Sequence, residues 1–169
     1  LVQGEGGIRI ADREFIRKLS ELCAARRILL IIDEVQTGVG RTGRAFAYQH
    51  FGIKPDIITL AKGLGGGVPV GAMHARDDLS PLFGKGVHGT TFGGNHLACA
   101  AVEFILKELK KPALTKNITT VSGFIFDRLR SLKEKHPSLV RKVRGLGLHI
   151  GVELSIPGMD IVRKALDAG

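Results

Sequence analysis

The chain has 169 residues, 44% of them hydrophobic, and carries 25 lysines and arginines against 16 aspartates and glutamates, a formal net charge of +9. That length supports one domain with a real core, or one domain plus part of another, and the apolar fraction excludes a disordered chain. No apolar run is long enough to span a membrane, and nothing resembling a secretory signal stands at the start.

Beginning at Leu1 and closing on a helical pattern at Gly169, the sequence reads as part of a larger protein. Gly4 to Gly7 reads as a flexible turn, and Asp12 as the N-cap of a helix reaching about Arg26. Phe15, Ile16, Leu19, Leu22 and Cys23 recur there at helical spacing. Ile28 to Ile32 is short and apolar on both faces, as in a buried strand of a parallel sheet. Ile57 to Ala61 and Val70 to His74 read as two further buried strands, joined by a glycine-rich turn at Gly63 to Gly67. Asn95 opens a helix that ends before Pro112, and a second long helix is expected from about Thr119 to Lys135. Leu146 to Leu154 alternates as a strand, Pro157-Gly158 turns, and a last helix begins near Met159. Alternating strands and helices give an α/β fold, with a second unit starting between Pro112 and Arg144.

The basic excess sits between Arg128 and Arg144; the first half of that stretch continues an amphipathic helix, so it reads as a solvated basic face. With one tyrosine, no tryptophan and no recognition motif, no nucleic-acid partner is expected. Cys23 and Cys99 lack metal or CxxC spacing and read as reduced, partly buried thiols in a cytoplasmic setting. No metal site is expected either. His88 has no partner ligand at metal spacing and reads as a packed or capping histidine.

The chemistry is concentrated in IIDEVQTGVGRTG, Ile31 to Gly43, and PDIITLAKGLGGGVPVGA, Pro55 to Ala72. Asp33 ends one strand and Lys62 follows the next, and ligands of open α/β sheets collect outside the carboxyl ends of strands. A carboxylate and an amine in one crevice suit pyridoxal 5'-phosphate. Its aldehyde forms an imine with a lysine, and its ring nitrogen is kept protonated by a carboxylate. Taken singly, Asp33 could be a turn former and Lys62 a loop lysine; the words around both favour the cofactor. Gly38 to Gly43 also matches GxGxxG, but five residues separate it from the strand, so a dinucleotide site is not expected. In HGTTFGGN, His88 to Asn95, Thr90 and Thr91 stand just before a helix start. They suit a phosphate or a helix cap equally well.

These words together resemble the class III (ornithine-type) aminotransferases of the fold-type I pyridoxal-phosphate enzymes, from VQGEGGI at Val2 to VRGLGLHIGVEL at Val143. Within the class, GVGRTG, LAKGLGGGVPVGA and HGTTFGGN are most similar to the acetylornithine branch. The resemblance implies a large cofactor domain over residues 1–115, with a mixed or parallel sheet, and the start of a small α/β domain over 116–169. It implies Lys62 as the catalytic lysine, Asp33 on the pyridine nitrogen, Val35 on a ring face and Gln36 on the ring oxygen. It further implies that Thr91 reaches the phosphate of the neighbouring subunit in a homodimer. Thr90 would lie near the substrate, and Glu5 would pair with a substrate-binding arginine. The implied reaction moves an amino group from N-acetylornithine to 2-oxoglutarate, as in arginine biosynthesis. The alternatives are another class III donor (succinylornithine, ornithine, amino-carrier-lysine or 4-aminobutyrate) or a cofactor-free interaction protein on the same fold. The family's phosphate loop, ring-stacking aromatic and substrate-carboxylate arginine have no match in these residues, so the 169-residue chain alone is expected to be inactive. His96 stands where the family usually has proline and is expected to loosen the helix entry.

Overall fold

The computed structural model describes residues 1–169. A short antiparallel pair, β1 (Val2–Gln3) and β2 (Arg9–Ile10), flanks the Gly4–Gly7 turn. Helix α1 (Arg13–Ala25) starts where Asp12 accepts a hydrogen bond from the Phe15 amide at 2.8 Å, which satisfies one of the free N–H groups of its first turn. Strand β3 (Ile31–Asp33) follows, then a long turn segment, the short helix α2 (Tyr48–Phe51), strand β4 (Ile57–Leu60) and strand β5 (Ala72–Ala75). The sheet order is β3-β4-β5, with β3 and β4 parallel and β4 and β5 antiparallel.

The core joins Ile16 of α1, Ile32 of β3, Ile58 and Leu60 of β4, and Phe51, Ile53 and Leu64. Ile58 and Leu60 share a face because strand side chains repeat every two residues. Glu34 is buried beside this core at 1% exposure. Its carboxylate accepts from the Thr37 hydroxyl at 2.5 Å, the Ala47 amide at 3.1 Å and the Tyr48 amide at 2.8 Å, so the charge is fully partnered. That residue therefore folds the 34–48 turn back onto the sheet.

Helix α3 (His96–Leu109) is capped by Asn95, which accepts from the Ala98 amide at 2.9 Å. His96 occupies the first helical position and the cap is intact, so the expected loosening is not seen. Helix α4 (Pro112–Lys135) begins seven residues earlier than the apolar pattern predicts. Proline is favoured in the first turn because it has no N–H to leave unpaired. Strands β6 (Val140–Leu146) and β7 (His149–Leu154) form an antiparallel hairpin, and α5 (Met159–Asp167) closes the chain. The hairpin docks on the earlier residues: the Leu148 amide donates to the Arg41 carbonyl at 2.9 Å, and Ser122 of α4 donates to the Gly147 carbonyl at 2.8 Å. A Cβ on Gly147 would overlap the Thr42 backbone, so this approach needs glycine.

Several expectations change. The first sheet strand starts at Ile31, not Ile28, and Ile28, Leu29 and Ile31 are exposed, whereas Ile32 on the opposite face of β3 is buried in the core. β5 is antiparallel and largely exposed rather than buried. The basic stretch divides: Arg128, Arg130, Lys133 and Lys135 lie on α4, but Arg141, Lys142 and Arg144 lie on β6, which periodicity did not reveal. Lys133 and Lys135 complement the helix dipole in its last turn, and the Arg128 and Arg130 guanidinium groups lie over the Phe124 and Phe126 rings. Cys23 is buried as expected; Cys99 is exposed, since the neighbouring Ala98 takes the inward position. No helix is long and apolar enough to cross a membrane.

Replacing Glu34 with alanine would leave two backbone amides and a hydroxyl without their acceptor. It is expected to cost about 3 kcal/mol of stability, read as a lowered urea midpoint.

Candidate active site

Asp33 pairs with Thr59 across the parallel β3–β4 ladder, and Lys62 follows Leu60, the last residue of β4, by two. Both side chains thus emerge at the carboxyl ends of adjacent strands. They line one open cavity of about 690 Å³ together with Val2, Glu5, Val35 and Gln36. Among the residues singled out from the sequence, the structure brings together Lys62, Asp33, Val35, Gln36 and Glu5.

Lys62 has φ 49°, in the left-handed region that non-glycine residues rarely occupy. Such a conformation persists only where the surroundings impose it. Here Lys62 opens a single 3-10 turn, Lys62–Gly65, whose Leu64 is 1% exposed and sits in the core. The Leu64 amide closes the turn on the Ala61 carbonyl at 3.0 Å. The apolar plug thereby fixes the backbone and leaves the lysine side chain facing the cavity. Val39, with φ 53°, is a second strained residue, and it lines an adjoining cavity with Lys62.

The Asp33 carboxylate is oriented by its own turn, one oxygen accepting from the Val35 amide at 2.8 Å. No ion pair within the chain engages Asp33 or Lys62. The Gly4–Gly7 turn lies against Gln36: a Cβ on Gly4 would overlap the Gln36 side-chain oxygen. Glu5, exposed on that turn, is carried to the cavity wall by this contact.

Thr90 and Thr91 lie elsewhere. They are exposed, outside both cavities, and the structure does not bring them to Asp33 and Lys62. The α3 cap is the Asn95 side chain, so neither threonine serves as that cap. His88 is likewise exposed rather than packed or capping. The Gly38–Gly43 segment opens no helix; the next, α2, starts only at Tyr48, so the dinucleotide fingerprint is not formed.

Sequence reasoning missed three residues. Glu34 was overshadowed by its neighbour Asp33, and Arg144 was read as one more surface cation. The third is His149, at the start of β7 and on the wall of the adjoining cavity of about 330 Å³, beside Lys62, Gln36 and Arg41. Its Nε2 is buried with no hydrogen-bond partner. Burial, then the nearby Arg41 charge, hold its pKa below the usual histidine value; the Gln36 backbone opposes this and the Lys62 charge adds to it. The alternating pattern of Leu146 to Leu154 put Leu148 and Ile150 on one face and so pointed His149 the other way, which hid it.

Two parallel strands delivering a carboxylate and a strained lysine to one crevice match the arrangement of a known enzyme class. The class-III aminotransferase family model matches residues 1–169, and the chain belongs to that family. Among curated relatives, it is 48% identical to the acetylornithine aminotransferase of Aquifex aeolicus over 169 residues, all of this chain and 43% of the relative. The ornithine aminotransferase of Toxoplasma gondii superposes with a TM-score of 0.90 at 39% identity, covering 99% of this chain and 41% of that one. The taurine:2-oxoglutarate aminotransferase of Bifidobacterium kashiwanohense, solved with pyridoxal phosphate and glutamate, gives 0.88 at 30% identity, over 99% and 42%. The chain thus spans less than half the length of the relatives it matches, and it shares their α/β fold.

His50 is also held below its usual value, first by burial and then by Arg44 and Arg13, against the raising effect of the Thr42 carbonyl and Glu34. Because both folded pKa values lie below the unfolded 6.5, the unfolded state binds these protons more readily. Their share of stability is present above pH 6.5 and is lost as pH falls through the folded values. Urea midpoints are expected to drop on acidification below pH 6.5, and His149→Leu is expected to flatten that drop.

Proposed function

We propose that the chain is the cofactor-bearing part of a pyridoxal-phosphate aminotransferase that uses N-acetylornithine as amino donor and 2-oxoglutarate as acceptor, in arginine biosynthesis. The observation that carries the reading is the shared cavity of Lys62 and Asp33 at the carboxyl ends of β4 and β3. The donor set suits the cofactor: an amine for its aldehyde, a carboxylate for its ring nitrogen, an amide for its ring oxygen and an apolar side chain for its face. A cavity of about 690 Å³ also leaves room for a substrate beside it.

When bound, the cofactor supplies an aldehyde that captures the substrate amine and a protonated ring that withdraws electrons. Asp33 would hold the ring-nitrogen proton by a charge-assisted hydrogen bond, and the Val35 amide keeps its carboxylate oriented. Val35 would pack on the ring and Gln36 would donate to the ring oxygen. Lys62 Nζ would take the proton from the substrate carbon that bears the transferred amine and pass it to the cofactor's former aldehyde carbon, and would carry it the opposite way in the second half-reaction. Its anchored backbone keeps that nitrogen in place through both transfers. Glu5 faces the substrate on the wall formed by the Gly4–Gly7 turn.

The functional unit in this reading is a homodimer, with Thr91 reaching the phosphate across the interface and Thr90 near the substrate. Leu82, Val87, Phe92 and Leu97 support it: they flank the two threonines in sequence and are 65–81% exposed, apolar side chains suited to burial against a partner. Residues 1–115 are assigned to the large domain and 116–169 to the small one. The change from the β3-β4-β5 sheet to the separate β6–β7 hairpin favours this, with α4 running unbroken between them. Two unpaired cysteines suit a cytoplasmic enzyme. Another class III donor is the second reading, favoured by the superposition on ornithine and taurine enzymes at TM-scores of 0.90 and 0.88. A cofactor-free interaction protein would have no need of both Lys62 and Asp33.

A panel of N-acetylornithine, ornithine, succinylornithine and 4-aminobutyrate, each with 2-oxoglutarate and the complete protein, tests the donor. N-acetylornithine is expected to give the highest kcat/KM, and Lys62→Ala to lower turnover about 10²–10⁴-fold or more. A higher kcat/KM for another donor would replace the substrate, and full turnover without Lys62 would end the mechanism.

A further inference from the structure

We infer that Arg144 is a positioning residue for the substrate side of this site, acting through the turn that carries Glu5. The inference rests on the reading of Glu5 as a substrate-facing carboxylate.

Arg144 lies on β6, 137 residues from Gly7, yet its Nε donates to the Gly7 carbonyl at 2.6 Å. Another nitrogen of the same guanidinium donates to Glu153 of β7 at 2.5 Å. One planar fork thus ties the β6–β7 hairpin to itself and to the turn between β1 and β2. The contact is half-buried, with the Arg144 side chain 26% and the Glu153 side chain 35% exposed. Arg144 pairs in register with Gly151, where a Cβ would come within 2.9 Å of the Ile8 Cβ, so Ile8 packs directly on the hairpin.

Local preference does not account for the shape of this turn. Ile8 has φ 55°, which is strongly disfavoured for a β-branched residue, and the Gly7 and Ile8 amides converge on the Gly4 carbonyl at 2.9 and 3.2 Å. The Arg9 side chain donates to the Gly6 carbonyl at 3.0 Å within the turn, and external contacts hold it from two sides. Gly4 abuts Gln36 at one end, and Gly7 and Ile8 are seized by the hairpin at the other. Glu5 sits between these two clamps and on the cavity wall. Releasing the Arg144 clamp would free the end of the turn next to Glu5 while leaving Asp33 and Lys62 on their own strands. Lysine cannot reproduce the clamp, because a single ammonium does not present two fixed, divergent donors.

The test uses the complete protein with Arg144→Met, Arg144→Lys, Glu5→Gln and the Arg144→Met/Glu5→Gln double variant. Expected for Arg144→Met is faster hydrogen exchange at the Gly7 and Ile8 amides. The amino-donor KM should rise about fivefold or more with little change in kcat, the split expected when binding rather than chemistry is lost. The absorbance of the bound cofactor should not move. Arg144→Lys should behave the same way, and it replaces the methionine variant if that one fails to fold. In the Glu5→Gln background, Arg144→Met should add little to the KM, because the two act as one unit. Unchanged exchange in the turn, or KM effects that multiply fully in the double variant, would overturn the inference. If Glu5→Gln alone leaves the donor KM unchanged, the reading of Glu5 fails and takes the substrate half of the inference with it. Exchange data would then show whether the clamp itself exists.

Discussion

The parallel pairing of β3 with β4 is the constraint on which the site depends. Because the two strands run the same way and Asp33 stands opposite Thr59, both chains leave the sheet at one edge. An antiparallel pairing would have put the carboxylate and the amine at opposite ends. Strand alternation then separates two adjacent acids by role. Asp33 faces the open cavity, whereas Glu34 turns inward and binds three donors of the following segment. The same strand end thus supplies a free carboxylate and the brace that holds the turn around it.

Around that edge, the fold supplies rigidity by burial. Leu64 is almost fully enclosed two residues after Lys62, so a strained backbone is offset by apolar packing of roughly 1.5–3 kcal/mol. Later parts of the chain close the remaining sides. The β6–β7 hairpin meets the Gly38–Gly43 segment through the Leu148 amide and the bare Cα of Gly147, which brings His149 to the wall beside Lys62. The site is therefore composite, with walls from the first strands, the sheet edge and the distant hairpin.

Much of this was legible because special residues mark it. Asp12 and Asn95 announced their helices by chemistry that only an N-cap exploits, and both caps form. The two short words around Asp33 and Lys62 showed their shared crevice, because strand ends in α/β sheets have a predictable direction. What stayed hidden depended on partners far along the chain. β6 carries Arg141, Lys142 and Arg144 among few apolar residues, so its strand character comes from pairing with β7 rather than from alternation. The exposure of Ile31 depends on what covers its face of the sheet and the direction of β5 on how it pairs with β4, and no local pattern encodes either. The α4 start was missed because Pro112 was read as a stop, although proline favours a first turn. Arg144 and His149 gain meaning only when the hairpin folds back across more than a hundred residues.

The most direct measurement of the central claim is borohydride reduction of the protein with pyridoxal phosphate, followed by peptide mapping, with a Lys62→Ala control. A phosphopyridoxyl adduct confined to Lys62, and lost in the control, is the predicted result. Labelling spread over several lysines and unchanged in the control would contradict it, because no organised cofactor pocket would then exist around Asp33 and Lys62.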